Sequence, residues 1–334
     1  MKASKPMNIP DLGRVWSWTR PGEPQTLRLE TRAVPQPRAG EALIANRAIG
    51  INPVDWKVVE SGHAAWQSGH VPGVDGAGVV AAVGTGVVGL LVGTRVAYHQ
   101  SLAQNGSFAD FTCVASEALL RIPDAINDIV AAAIPCPGLT AWQAVAKVPN
   151  GADKDVLVTG AGGAVGLLLA QCCVARGWRV WVTAAPRHDN LLKEIGVVES
   201  FDYRDDAWQD RLAAALGPRR LHAIFDTVDS AKARTMAPSI AYNGHLVYIQ
   251  YRDEILPLPG FTTALSVHEV ALNSIHMFGG AAEWRAWREM GAELFDMLTT
   301  GQVQLPSIVT GDFVDLPTIM AVAKAGGGKQ VLQV

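Results

Sequence analysis

A glycine-rich turn constrains the fold of this chain more than any other sequence feature. Gly160, Gly163 and Gly166 have G-x-x-G-x-x-G spacing between a Val-rich segment at 155–159 and an apolar segment at 164–177. This order predicts a β-strand, a tight turn and an α-helix. Glycine suits the turn because it permits a sharp bend, a close approach to a pyrophosphate and tight packing of helix on sheet. We therefore predict a dinucleotide site, with a purely structural turn as the alternative.

The rest of the chain shows two patterns. Strand-like and helix-like segments alternate from residue 126 to about 278, which predicts βαβ units in a doubly wound parallel α/β sheet. Residues 1–125 contain short β-branched segments separated by Gly and Pro, which favours a barrel or a partly open sheet. A length of 334 residues is sufficient for two domains.

Composition argues against several classes of partner. The net charge of −3 gives no electrostatic reason for binding nucleic acid or anionic lipid. Residues 76–94 carry no charge and have the length of a membrane span, but six of them are glycines. Glycine at this density opposes a helix, so two short buried strands around a turn are expected instead. No membrane association is expected.

The four cysteines and the N-terminal residues suggest the compartment. No two cysteines form a C-x-x-C pair, which argues against a disulfide framework and a structural zinc cluster. The N-terminal segment has no apolar stretch of signal-peptide length. We therefore expect reduced thiols and a cytoplasmic location.

The segment after the second predicted strand favours NADPH over NADH. NAD sites usually place a carboxylate there, on the ribose 2′-hydroxyl, but the first carboxylate here is Asp189. Arg187 can bind a 2′-phosphate through two hydrogen bonds, and Tyr203 follows the third strand near the same position. An ordinary solvated arginine is the alternative.

Five segments resemble the medium-chain dehydrogenase/reductase superfamily, within its zinc-free quinone oxidoreductase and enoyl reductase branch. They are GINPVDWK at 50–57, PGVDGAGVV at 72–80, GLTAW at 138–142, the glycine turn, and Gly328-Lys329. The resemblance implies a Rossmann domain inserted in a GroES-like β-barrel catalytic domain. The expected boundaries are 1–125 and 279–334 for the catalytic domain and 126–278 for the NADP(H)-binding domain.

The resemblance also implies which residues bind the cofactor. The expected set combines the glycine turn, the first turn of its helix, the ends of neighbouring strands and the C-terminal lysine. Its members are Thr140, Gly160, Gly163, Ala164, Val165, Gly166, Thr183, Ala185, Arg187, Tyr203, Val228 and Lys329.

The residues argue against a catalytic zinc. Zinc alcohol dehydrogenases of this superfamily have a Cys where Asn52 stands and a His-Glu pair where Val74-Asp75 stands. Valine cannot bind a metal, and a catalytic zinc requires three protein ligands. We therefore expect no metal and no alcohol oxidation of the zinc-dependent kind, although zinc-independent alcohol or aldehyde chemistry is an alternative.

Four residues are catalytic candidates. By resemblance, Asn52 lies near the nicotinamide, where its amide can donate to a carbonyl oxygen; capping of a turn before Pro53 is the alternative. Asp55 and Lys57 flank this position, either in the chemistry or as an ion pair that holds the loop. His63 stands at the spacing where related enoyl reductases have a Tyr proton donor, or is merely solvated.

These observations predict an NADPH-dependent, zinc-free oxidoreductase that reduces a quinone or the C=C bond of an α,β-unsaturated carbonyl. Quinone reduction requires no dedicated acid. The alternative from another class is an NADPH-binding sensor or structural protein with little turnover. Residues 270–278 resemble the family's edge strand, which predicts a homodimer formed through that strand.

Overall fold

The structure, a computed structural model, describes residues 8–334. The described residues form fifteen β-strands of three to ten residues. They are β1 (Leu12–Ser17), β2 (Arg28–Ala33), β3 (Glu41–Gly50), β4 (Asp75–Val83), β5 (Arg95–His99), β6 (Phe111–Ala115), β7 (Leu119–Arg121), β8 (Asp155–Val158), β9 (Arg179–Ala184), β10 (Glu199–Asp202), β11 (Leu221–Asp226), β12 (Ile240–Tyr248), β13 (Ser266–Glu269), β14 (Ile308–Asp312) and β15 (Lys329–Gln333).

Ten α-helices are found in the same described part of the chain. They are α1 (Pro53–Ser61), α2 (Asp128–Ala132), α3 (Pro135–Ala146), α4 (Ala164–Ala175), α5 (Asp189–Glu194), α6 (Trp208–Leu216), α7 (Ser230–Thr235), α8 (Ile275–Phe278), α9 (Ala281–Thr299) and α10 (Leu316–Lys324).

The first of two compact units contains the described residues up to Cys136, together with Asn273–Thr299 and Ser307–Val334. Its main sheet has the strand order β14-β15-β3-β4-β5-β7, and β6 pairs with β3. Strand β3 is antiparallel to β4, β6 and β15, so it connects the N-terminal strands with the C-terminal strand. Strands β1 and β2 form a separate antiparallel pair.

Glycines in β3 and β4 allow unusually close approach in this unit. A Cβ on Gly78 would lie 2.0 Å from the Ala45 carbonyl oxygen, and one on Gly50 would lie 2.1 Å from the Ala132 carbonyl oxygen. The glycine-rich segment at 76–94 therefore contributes most of β4 and the turn that leads to β5, rather than a helix. Among residues 8–334, no helix combines the length and apolar character needed to cross a membrane.

The second unit contains Pro137–Leu272 and Thr300–Pro306. Its six strands follow the order β10-β9-β8-β11-β12-β13, and every neighbouring pair is parallel. This order reverses beside β8, which confirms the predicted doubly wound sheet. The Gln171 side chain exchanges two hydrogen bonds with the Gln304 backbone, at 2.9 and 2.8 Å, which ties the second segment to α4.

The units divide after Cys136 and Leu272, whereas the sequence predicts divisions after residues 125 and 278. Side-chain contacts explain the difference. Arg95 Nη2 bonds Asp128 Oδ1 at 2.7 Å, which holds α2 on the first unit. Asn273 Nδ2 donates to the Gln100 carbonyl at 2.9 Å, which returns the chain to the first unit before residue 278.

The prediction of an edge strand at 270–278 is wrong. These residues include a 3-10 turn at Leu272–Ser274 followed by helix α8, and the edge strand of the parallel sheet is β13. The reason lies in the polar side chains of the segment. His276 Nε2 lies 3.1 Å from the His99 carbonyl oxygen, so the chain bonds to the end of β5 instead of continuing as a strand.

Candidate active site

Helix α1 begins at a polar N-terminus built from Asn52 and Asp55. Asn52 is the N-cap residue, and Pro53 occupies the first turn, where its missing N–H is no loss. The Asp55 carboxylate accepts the Asn52 backbone N–H at 2.7 Å and the Val74 backbone N–H at 3.1 Å. Asp55 thereby joins the start of α1 to the residues before β4.

Asp75 is fully buried at the start of β4 and accepts hydrogen bonds from three directions. Asn52 Nδ2 and the Cys136 backbone N–H each donate to Oδ2 at 2.9 Å. His99 Nδ1 lies 2.9 Å from Oδ1. Asp75 and His99 are directly opposite in the β4–β5 pair, so their side chains share one face of the sheet.

Lys329 completes the cluster from the first position of β15. Its side chain is buried, and Nζ donates to Asn52 Oδ1 at 2.7 Å and to the Ile51 carbonyl at 3.1 Å. Burial lowers the pKa of Lys329, and the nearby Asp75 charge opposes this shift. We call Asn52, Asp55, Asp75, His99 and Lys329 the buried network.

Both ends of the Asn52 side-chain amide are hydrogen-bonded inside the protein. Its nitrogen donates to Asp75 and lies 3.4 Å from the Gly50 carbonyl oxygen, and its oxygen accepts from Lys329. Only 2% of Asn52 is exposed. Both polar atoms of the Asn52 side chain are therefore engaged inside the protein, and its role towards a substrate carbonyl or the start of α1 stays a prediction.

The Asp55 carboxyl group has a strongly shifted pKa. Burial raises its pKa to about 7, because an anion is costly in a low-dielectric environment. The Asn52 backbone N–H acts in the opposite direction, and the neighbouring Asp75 charge adds to the increase. Asp55 is therefore a buried group that takes up a proton near neutral pH.

The other catalytic candidates lie apart from these groups. Lys57 is exposed on α1, and His63 lies in the following loop, where its Nδ1 accepts the Ala65 backbone N–H at 3.2 Å. The structure thus brings Asn52 and Asp55 together and leaves Lys57 and His63 outside that cluster.

The first unit contains one set of potential metal ligands among the described residues. Asp75, His99 and Cys136 offer ligand atoms within 4.8 Å of one another, and these donor types suit zinc. The arrangement of these ligand atoms, however, does not suit zinc. Asp75 and His99 face each other at 2.9 Å, shorter than the roughly 3.3 Å expected between tetrahedral ligands at zinc–nitrogen distances of about 2.0 Å. Asp75 Oδ2 already accepts two N–H groups.

The glycine turn of the second unit has the close approaches that its sequence predicts. Gly160 has a φ of +70°, and a Cβ there would lie 2.6 Å from Thr227 Oγ1 and Val228 Cγ2. A Cβ on Gly166 would lie 2.3 Å from the Gly160 carbonyl oxygen. Gly163, the N-cap of α4, has no such neighbour, its nearest being 3.5 Å away.

The N-terminal end of α4 is suited to binding an anion. Gly163 supplies no side-chain cap, and Ala164 and Val165 in the first turn are partly exposed. Backbone N–H groups at such a helix start, together with the helix dipole, bind phosphate. Thr183 supports the turn, because its Oγ1 accepts the Gly160 N–H at 3.1 Å. The residues present therefore fit a dinucleotide pyrophosphate.

The loop after β9 places further candidates beside this turn. Ala185 precedes a short 3-10 turn, and Arg187 within it is exposed. His188 was not singled out from the sequence, yet a Cβ on Gly162 would lie 2.7 Å from its Nε2. Gly162, a fourth glycine in the turn, was the available signal for this contact.

The remaining cofactor candidates are on separate elements of the second unit. Thr140 is 8% exposed on α3, and Val228 is exposed after β11. Tyr203 is exposed after β10, with the Arg204 guanidinium 5.9 Å from its ring centroid. Lys329 belongs to the buried network of the first unit instead, where it bonds Asn52.

Two family models match this chain. The alcohol dehydrogenase GroES-like domain matches residues 38–124, which contain β3 to β7. The zinc-binding dehydrogenase model matches residues 164–295, which begin at α4. The matches agree with the GroES-like and Rossmann parts implied by the sequence resemblance.

Relatives and solved structures give the same family. The chain is 33% identical to a trans-enoyl reductase, tazE, of Aspergillus terreus over 243 residues, covering 65% of this chain and 78% of the relative. It is 28% identical to quinone oxidoreductase of Sus scrofa over 259 residues, covering 76% and 78%. A mycobacterial quinone oxidoreductase structure is 26% identical, with a TM-score of 0.80 over 96% of this chain and 100% of the other. The chain is therefore an oxidoreductase of the medium-chain dehydrogenase/reductase superfamily and belongs to its quinone oxidoreductase-like branch.

Proposed function

We propose that this protein is an NADPH-dependent, zinc-free oxidoreductase that reduces a quinone or the C=C bond of an α,β-unsaturated carbonyl. The observation that carries the proposal is the glycine turn with its neighbouring loop. Gly160 and Gly166 let the turn close tightly on its own neighbours, and the exposed Gly163 leaves the start of α4 open to a pyrophosphate. The residues that end β9 and follow it, Ala184 and Ala185, offer no carboxylate for a ribose 2′-hydroxyl. Arg187 is exposed in that loop, where it can bind a 2′-phosphate.

The acceptor class is supported by the chemistry and by the relatives. Bound NADPH supplies a hydride, and an activated acceptor such as a quinone requires positioning more than acid catalysis. The polar ends of Asn52 and Asp55 are engaged inside the protein, so a proton from solvent completes the hydroquinone. Relatives named as quinone oxidoreductase and trans-enoyl reductase support these two acceptor classes.

The test is NADPH and NADH oxidation against a panel of ortho- and para-quinones, enones and enoyl thioesters. We expect oxidation with at least one quinone or enone and a preference for NADPH. Arg187→Ala should weaken NADPH binding about tenfold, because it removes a charged contact worth about 1.4 kcal/mol, and leave NADH binding unchanged. Lys193→Ala, on the nearby helix α5, is the matched control.

Each other outcome supports a different function. Tight NADPH binding without oxidation by any acceptor would favour a binding protein with little turnover. Oxidation of alcohols or aldehydes instead of quinone reduction would favour dehydrogenase chemistry. Equal use of NADH, or an unchanged NADPH affinity in Arg187→Ala, would contradict the proposed role of Arg187.

A further inference from the structure

The buried network contains two carboxyl groups, and each requires a compensating charge when it is ionised. Asp55 is 2% exposed and Asp75 is 0% exposed. Charges removed from water are costly unless they are paired or bind a metal. The cluster therefore needs a cation, and the chemistry of the site allows two kinds: a divalent metal or an ammonium group.

A metal ion is the first candidate for the compensating charge, because three side chains lie close enough together to resemble a binding site. Asp75, His99 and Cys136 provide oxygen, nitrogen and sulfur atoms within 4.8 Å of one another. The 2.9 Å separation of Asp75 Oδ1 and His99 Nδ1 is instead that of a hydrogen bond.

The ammonium group of Lys329 is the second candidate for the compensating charge. Its side chain is buried, and its Nζ is linked to Asp75 through one amide: it donates to Asn52 Oδ1 at 2.7 Å, while Asn52 Nδ2 donates to Asp75 Oδ2 at 2.9 Å. An ammonium group at this position attracts both carboxyl groups and repels any cation that approaches Asp75.

We propose that the buried Lys329 ammonium takes the place of a metal ion in the first unit, compensating Asp55 and Asp75 and keeping zinc from Asp75, His99 and Cys136. This inference rests on the zinc-free part of the proposed function and explains it. Lys329 acts as a positioning residue, because it holds Asn52 and through it Asp75. Its loss should make the three potential ligands available to a divalent cation.

The experiment is titration of the full-length protein with zinc and with cobalt(II), whose bond to a thiolate gives a near-ultraviolet charge-transfer band. Metal-free wild type should bind less than a tenth of an equivalent with no thiolate band. Lys329→Met should bind about one equivalent and show the band, and adding Cys136→Ser should remove it. Lys324→Met changes an exposed lysine of α10 and should behave as wild type.

Two results would overturn the proposal. One is stoichiometric zinc binding by wild type that Cys136→Ser abolishes. The other is a folded Lys329→Met protein that binds no more metal than wild type does. If Lys329→Met fails to fold, the wild-type titration still decides, and restored folding in Lys329→Arg would support the need for a positive charge. Metal binding is measured without NADPH or acceptor, so failure here is distinct from failure of the proposed reaction.

Discussion

The buried network of the first unit and the glycine turn of the second are built in opposite ways. The buried network is defined by partners: Asp75 accepts three contacts and Lys329 donates two. The glycine turn is defined by missing atoms, since a Cβ at Gly160 or Gly166 would lie within 2.6 Å of a neighbour. One region is sensitive to lost charge and the other to added volume.

This difference predicts separable effects of substitution. Removing a charge from the buried network should mainly reduce the free energy of unfolding, because the partner left behind remains buried. Adding a methyl group at Gly166 of the glycine turn should mainly reduce cofactor affinity, because the turn has to approach a phosphate closely. Substitutions that affected both properties equally would contradict the comparison.

The largest effect is expected for Asp75→Asn. It keeps the shape of the side chain but removes its charge, so Lys329 loses compensation and the free energy of unfolding should fall by about 3 kcal/mol. Urea unfolding followed by circular dichroism measures this. Asp205→Asn, which breaks an exposed pair with Arg211, should cost less than about 1 kcal/mol. Equal stability of the two variants would be inconsistent with a compensated buried charge.

Gly166→Ala should have the next largest effect, on NADPH affinity. The added Cβ would lie 2.3 Å from the Gly160 carbonyl oxygen, so the turn has to shift away from the phosphate position. We expect the Kd for NADPH to rise about 100-fold, which corresponds to about 2.7 kcal/mol. Gly260→Ala is the matched control, since a Cβ on this exposed glycine of the second unit would have no neighbour within 4 Å. Similar Kd values for both variants would argue against steric control of the turn.

A smaller effect is expected in the pH dependence of stability. Asp55 has a pKa of about 7 in the folded protein, above its ordinary 3.8. The folded state therefore binds more protons between these values, and the stability from this group is lost as the pH rises towards 7. From pH 5 to 8, the free energy of unfolding of wild type should decrease relative to that of Asp55→Asn. Parallel pH profiles would show that Asp55 does not titrate in this range.

Gly162→Ala should have the smallest effect. Its Cβ would lie 2.7 Å from His188 Nε2, and the imidazole can rotate away. We expect a cost of about 1 kcal/mol in wild type and almost none in a His188→Ala background. Unfolding of the four proteins in this double-mutant cycle provides the coupling energy. A coupling of zero would mean that His188 does not pack on the turn.

Local pattern explains what could be predicted. The spacing of Gly160, Gly163 and Gly166 between a strand and a helix is contained within a few consecutive turns, so the parallel sheet and its turn were predictable. The segment at 270–278 looked like a strand for the same local reasons. It became a turn and a helix because Asn273 and His276 bond to residues at the end of β5, which are distant in sequence.

The buried network shows why the site was harder to predict. Asn52, Asp75, His99 and Lys329 come from four separate segments, and no spacing in the sequence joins them. Asn52 therefore looked like a free hydrogen-bond donor, although Asp75 and Lys329 occupy its amide. Lys329 was a cofactor candidate because Gly328-Lys329 resembles a segment of the family, whereas the structure places its Nζ on Asn52.

The sequence by itself determined the doubly wound sheet and its glycine turn, because glycine spacing and hydrophobic periodicity act over short stretches of chain, and the resemblance of five segments indicated the family. Only the tertiary structure decided which polar groups meet. Pairing of β15 with β3 and of β4 with β5 brings Lys329, Asn52, Asp75 and His99 together. Their burial then requires that every charge find a partner, and the Asn52 amide lies between Lys329 and Asp75 as the link that joins them.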